Sequence, residues 1–163
     1  TLSYVVVGQN FLGGKVVYVL QPGEAGYDPW VQHGLIAAPN DLAGSYPYGC
    51  LGSPAIFYSE TYCTGVSNTS QIAVRCGTTS AANACKNAII SGLGPNIWFL
   101  PNKIDLSKMY LARDLIGGFS PAVYWSSSEN NTTTSFSVNF ATGSMSPIVT
   151  KNTPAKVRPV TCF

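Results

Sequence analysis

Charge is what this chain has least of. Asp, Glu, Lys and Arg make up 10% of its 163 residues, against roughly 25% in ordinary soluble domains, so Ser, Thr, Asn and Gly must build much of its surface. Histidine is nearly missing. With His33 the sole one, Ser-His-Asp or Cys-His catalysis would have to run through it. A G-x-S-x-G elbow is lacking too, and the nearest serine-rich stretch, Ser126-Ser127-Ser128, follows a strand pattern without leading into a helix. The carboxylates Glu24, Asp28, Asp41, Glu60, Asp105, Asp114 and Glu129 are scattered, with no D-x-D-x-D-G loop. Gly13-Gly14 and Gly117-Gly118 lack the context that cradles phosphate. The expectation is therefore a protein that is not an enzyme and has no cofactor, with a structural or bridging divalent cation held by loops left open. A hydrolase using His33 is the weakest alternative. Apolar runs are short, the longest near Leu2 and Val16, far from the ~18 residues of a membrane span, so no membrane insertion is expected. Nucleic acid is not expected as a partner either, since the formal net charge is only +2.

What is present first bounds the fold. Hydrophobic residues are 45% of the chain, enough for a real core, and the length fits one domain spanning 1–163. The five cysteines, Cys50, Cys63, Cys76, Cys85 and Cys162, show no paired C-x-x-C spacing with histidines. That argues against zinc and for up to two disulfides plus a spare thiol in an oxidising setting. Among several connectivities, the sequence neighbours Cys50 with Cys63 and Cys76 with Cys85 are the simplest; buried free thiols are the alternative. The chain opens at Thr1 without a leader pattern and reads as a mature form or a fragment.

Pattern and punctuation predict strands over 4–7 and 15–20 around a turn at Gly13-Gly14, then 34–38, followed by a long irregular stretch over 39–67. Helices are expected over 69–75 and 80–91. After a short strand at 97–100, Asn102 caps a helix to about 115, with Asp105 in its first turn and Arg113 in its last. Ile104, Leu111 and Leu115, widened by Leu106, Met109 and Tyr110, read as its core-facing stripe. Strands at 122–126, 135–140, 145–150 and 155–161 form an antiparallel meander, with a turn at Thr142-Gly143. The class is α+β: a single domain of short antiparallel strands, two main helices and long loops.

Few cations exist, but they are unevenly placed. Lys103, Lys108 and Arg113 lie on or beside one helix, while Lys151, Lys156 and Arg158 crowd the tail, where no Asp or Glu follows Glu129. In an extended tail, Lys156 and Arg158 would share a face. These six are the candidate anion-binding residues, chosen by charge placement alone. Asn68-Thr69-Ser70, Asn130-Asn131-Thr132 and Asn131-Thr132-Thr133 match the glycosylation sequon, as chance allows in an Asn- and Thr-rich chain.

Five motifs occur in order: Gly13-Gly14-Lys15-Val16-Val17-Tyr18-Val19, His33-Gly34-Leu35-Ile36-Ala37-Ala38-Pro39-Asn40-Asp41, Trp98-Phe99-Leu100-Pro101, Tyr124-Trp125-Ser126-Ser127-Ser128-Glu129 and Val157-Arg158-Pro159-Val160. Together they resemble the DUF1566 family, the group that includes the C-terminal domains of Legionella collagen-like adhesins. The resemblance implies a secreted or bacterial surface module at the end of a collagen-like stalk. It further implies binding of sulfated glycosaminoglycans of the heparin, heparan or chondroitin sulfate type, host attachment and biofilm formation. A collagen stalk joins three chains, so the resemblance also implies a homotrimer. Three copies would present about +6 to one polyanion, from +2 per chain. The family is loosely similar to C-type-lectin-like domains, yet the Glu-Pro-Asn, Gln-Pro-Asp and Trp-Asn-Asp motifs of calcium-dependent sugar binding are missing here. The alternative is a trimerisation cap or protein-binding module without glycan binding.

Overall fold

The structure, a computed structural model, describes residues 4–55 and 59–163. Two antiparallel sheets and four helices make it α+β. The first sheet has the order β1-β2-β3-β7, from β1 (Asn10–Phe11), β2 (Gly14–Val19), β3 (Gly34–Ala37) and β7 (Val160–Cys162). Helices α1 (Gly65–Arg75), α2 (Ala81–Lys86), α3 (Lys103–Leu111) and α4 (Arg113–Ile116) come between β3 and the second sheet. That sheet keeps three strands of the expected meander, β4 (Val123–Glu129), β5 (Thr134–Asn139) and β6 (Met145–Thr150), while the fourth, expected over 155–161, leaves it to pair with β3 as β7.

Local chemistry explains where the elements depart from expectation. Residues 4–7 form no strand. Instead the Gln32 amide brackets Val5, accepting from its N–H at 2.7 Å and donating to its carbonyl at 3.2 Å, so a side chain does a neighbouring strand's work. The expected strand at 97–100 shrinks to one bridge, Phe99 to Val160. The helix expected to run to 91 stops at Lys86. The segment 155–161 is interrupted because Pro159 has no N–H to donate; its carbonyl accepts from Ala38 N–H at 2.8 Å.

Helix α3 begins as expected, Asn102 Oδ1 accepting from the Ile104 and Asp105 N–H groups at 2.9 Å. Its buried face is only part of the expected stripe. Ile104, Leu111 and Leu115 are 40%, 78% and 59% exposed, and the core takes Leu106, Met109, Ala112 and Ile116. Two apolar rows run along this helix at the same period, and the inward one is completed by an alanine. Around it, Val17, Leu35 and Val160 of the first sheet meet Tyr124 and Val138 of the second.

The disulfides join Cys50 to Cys76 and Cys63 to Cys162, leaving Cys85 buried and free. Two bridges and one spare thiol were expected, but the connectivity differs. Cys85 faces the core from α2 alongside Ala81 and Ala82, and Cys76, its neighbour in sequence, is taken by Cys50. Both bridges grip α1, at the residue two before it and at its C-cap. That helix has no side-chain N-cap bond. Its first residue must be glycine, since a Cβ on Gly65 would lie 2.7 Å from the Leu100 carbonyl oxygen and 2.8 Å from the Phe99 ring.

Candidate functional site

The tail cations do not face outward. Arg158 is 1% exposed. Its Nε donates to Asp41 Oδ1 at 2.7 Å, Nη1 to the carbonyls of Ala38 at 3.2 Å and Gly117 at 3.2 Å, and Nη2 to that of Gly118 at 2.6 Å. The guanidinium also stacks 4.1 Å from the Phe119 ring centre. A planar fork with five donors suits such a junction, where the end of β3 meets the turn after α4. Gly117 and Gly118 turn their carbonyls towards it with φ of +77° and +72°. Asp41 accepts from the Tyr124 hydroxyl as well, at 2.6 Å. Burial, then that bond to Asp41, pushes the Tyr124 pKa up to about 12.

Lys151 is likewise fully buried and pairs with Glu129, while its Nζ donates to the Ser53 carbonyl at 3.0 Å. Glu129 also accepts from the Ala55 N–H at 2.9 Å. Beside this pair, Ser126, Ser127 and Ser128 are all 0% exposed. Ser126 donates to the Phe136 carbonyl at 2.8 Å, Ser127 accepts from the Asn68 amide at 3.2 Å, and Ser128 accepts from the Lys103 N–H at 3.0 Å. The serines therefore knit β4 to β5, α1 and α3. Asn68, 1% exposed, has no room for a glycan on its sequon.

These contacts correct two sequence-based expectations. Acid is near the tail after all, supplied by Asp41 and Glu129, and Lys151 and Arg158 are closed off from any external anion. Lys156 is different. It is half-buried, and its ammonium has no acid partner among the described residues.

The helix cations stay at the surface. Lys103 pairs with Glu60 at 2.7 Å and lies 3.9 Å over the Phe136 ring. Lys108 sits 3.7 Å from Glu24 and 3.4 Å over the Tyr18 ring. Glu24, Glu60, Asp105 and Lys108 border one cavity of about 240 Å³, closed at its apolar end by Leu20 and Ile104. Burial alone would raise the Glu24 carboxyl; bonds from Tyr18 and the Gln21 N–H, with the Lys108 ammonium, outweigh it and hold the pKa below its usual value. Burial, then Glu24, pushes Tyr18 up to about 12. Asp105 is the opposite case. It is 5% exposed, its Oδ2 has no partner, and burial lifts its pKa to about 7 against weaker pulls from Lys108 and the Asn102 backbone.

Arg113 does not join this cleft. It stacks 4.1 Å from the Tyr110 ring centre, lies 3.9 Å from Asp114, and opens on a separate hollow of about 390 Å³. Of the six candidates, then, the fold lines the cleft with Lys108 alone, ties Lys103 to its edge through Glu60, leaves Arg113 and Lys156 apart, and buries two. Of the acids that complete the cleft, Asp105 shares α3 with Lys108, whereas Glu24 and Glu60 were visible in the sequence only as scattered carboxylates because each lies on a distant loop. His33 donates from Nδ1 to the Phe163 carbonyl at 3.1 Å. No group of three or more His, Cys, Asp or Glu side chains that could hold a metal occurs among the described residues.

Compared with known proteins, the chain matches no family model and no curated protein.

Proposed function

We propose that this chain is a non-enzymatic adhesion domain, secreted or displayed on a bacterial surface, that binds sulfated glycosaminoglycans of the heparin, heparan or chondroitin sulfate type and so supports attachment and biofilm formation. The observation that carries the reading is the pair of Lys103 and Lys108. Their side chains are 18% and 27% exposed and each ammonium is braced over an aromatic ring. Their acid partners, Glu60 and Glu24, keep 31% and 34% of their side-chain surface in solvent. Partly exposed ion pairs are worth only about 0–1 kcal/mol, so a sulfate can exchange for a carboxylate at little cost. The five ordered motifs and the two disulfides support the extracellular setting.

The reading includes a homotrimer, in which several weak sites act on one polymer. Leu111 and Leu115 on the outer row of α3 and α4, 78% and 59% exposed, share an apolar hollow with Val7 and Val17 and supply a strip for contacts between copies. The test is a salt titration of heparin binding, with the mass in solution measured alongside. Lys103→Ala with Lys108→Ala is expected to weaken binding at least tenfold and flatten the salt slope by about two ions' worth. Lys156→Ala should weaken it modestly. Unchanged affinity in the double variant overturns the site; salt-independent or missing heparin binding in the native chain overturns the function.

A further inference from the structure

The most exposed large ring on the described surface borders a hollow that no Lys or Arg lines. Trp30 is 82% exposed, while the other two tryptophans, Trp98 and Trp125, are 1% and 0% exposed. Leaving a large apolar side chain in water forgoes about 1.5–3 kcal/mol of burial. The loop nevertheless holds this one in place. Asp28 Oδ1 accepts from the backbone N–H of Trp30 at 2.7 Å and of Val31 at 3.3 Å, an Asx turn that fixes the segment presenting the indole. Beside it Tyr4, 63% exposed, and the paired rings of Phe11 and Phe163, 5.2 Å apart, complete a mostly apolar hollow of about 210 Å³.

A second hollow, of about 230 Å³, adjoins it and shares Tyr4, Val31 and Gln32. Its lining is polar: Asp28, His33 and Gln21 stand with the Tyr27 ring. The Gln32 amide is committed to Val5. Asp28 Oδ2 and His33 Nε2 have no partner among the described residues. Neither hollow is lined by Lys or Arg.

We propose that this double hollow binds one uncharged pyranose residue of a glycan, its C–H face stacked on Trp30 and its hydroxyls donating to Asp28 and meeting His33. A sugar ring is the ligand whose two sides differ in this way, apolar along the axial hydrogens and polar at the rim. An apolar side chain would leave the Asp28 carboxylate desolvated without a donor. A sulfated ring would meet that same carboxylate with no cation to offset it. Hollows near 200 Å³ suit one ring, below the roughly 300–1,000 Å³ of pockets for larger ligands. The site touches the Lys108 cleft only through Leu20, and it stands whether or not sulfated glycans bind there.

Tryptophan emission tests it in the native chain, because Trp30 is the exposed indole, and calorimetric titration reads affinity in every variant, those without Trp30 included. The chain is titrated with uncharged trisaccharides of β-linked glucose, galactose and N-acetylglucosamine, at low and at raised salt. A saturable change in emission with at least one of them, insensitive to salt, is expected. Trp30→Ala should lose at least tenfold in affinity, Trp30→Phe should fall between, and both should melt and bind heparin as the native chain does. Asp28→Asn keeps the turn and should weaken binding several-fold. Three results overturn the proposal: no saturable response to any of the three sugars at millimolar concentration, unchanged affinity in Trp30→Ala, or tighter and salt-sensitive binding of a sulfated trisaccharide that Trp30→Ala abolishes. The first two leave the heparin result untouched, so the failure of one site is distinguishable from that of the other.

Discussion

Replacing Asp105 with Asn should make the protein more stable, and more so as pH rises. The side chain is 5% exposed and carries an unpartnered oxygen. Burial lifts its pKa from 3.8 to about 7. The folded state therefore binds the proton more tightly than the unfolded one, so this group's contribution is best below pH 4, declines as pH rises towards 7, and is flat beyond. A gap of about three pH units at about 1.4 kcal/mol each sets the full penalty near 4 kcal/mol. At pH 5 the folded carboxyl is still protonated while the unfolded one has ionised, so roughly 2 kcal/mol is already lost; by pH 8 the loss is nearly complete. Asn keeps the size and the acceptor for the Asn102 backbone but never ionises. Urea unfolding of both proteins, with disulfides intact, should show Asp105→Asn gaining about 2–3 kcal/mol more over the native chain at pH 8 than at pH 5. For a chain of this length that is a difference of about 4–12 °C in melting shift. Comparing the two proteins at each pH cancels the other titrating groups. Parallel stability curves from pH 5 to pH 8 would refute the reasoning, because they would mean that Asp105 ionises as readily as an exposed carboxylate.

Arg158→Ala leaves Asp41 and the Gly117 and Gly118 carbonyls without their donor. It should cost about 3–5 kcal/mol in urea unfolding while heparin affinity of the folded protein holds; a loss of affinity without a loss of stability would return Arg158 to the ligand. Lys151→Met strands Glu129 in the core and should cost a similar amount. Adding Glu129→Leu should recover much of the loss, whereas additive costs in the double-mutant cycle would show that the pair is not coupled. Replacing both cysteines of Cys63–Cys162, which are 99 residues apart, should destabilise by about 5 kcal/mol, against about 3–4 for Cys50–Cys76, 26 apart. The reverse order in urea would contradict the loop-entropy account. Burial pushes the Cys85 thiol well above its ordinary range, so iodoacetamide should label it only after unfolding; labelling of the native chain would place it at the surface.

The meander was legible because its signals are local. Phe136, Val138 and Phe140 alternate ahead of a glycine at 143 whose φ is +80°, and the Asn102 cap and the α3 start follow from neighbours in sequence. The inward face of α3 was legible only in part, since Leu106 and Met109 belonged to the expected stripe and Ala112 and Ile116 did not. Its two apolar rows have equal period, and only packing against both sheets chooses Leu106, Met109 and Ile116 over Ile104, Leu111 and Leu115. The cysteine count read correctly but the pairing did not, since Cys63 finds a partner 99 residues away.

The cations failed as a set for a related reason. Sequence shows where charge is, but not what faces it, and Arg158 meets an acid 117 positions earlier. In a chain with so few charges, four of the six candidate cations join distant segments. Arg158 ties the end of β3 to the turn after α4, and Lys151 ties the loop before residue 56 to β4. Lys103 and Lys108 tie α3 to the loops carrying Glu60 and Glu24. Five of the six candidates carry an acid partner, so a polyanion approaching this surface must compete with carboxylates already in place. Single-site affinity from charge is therefore weak by construction. On the proposed function, recognition would need Lys103 and Lys108 repeated across copies, a second contact that does not depend on charge, or both, and the exposed ring of Trp30 is the candidate for the second.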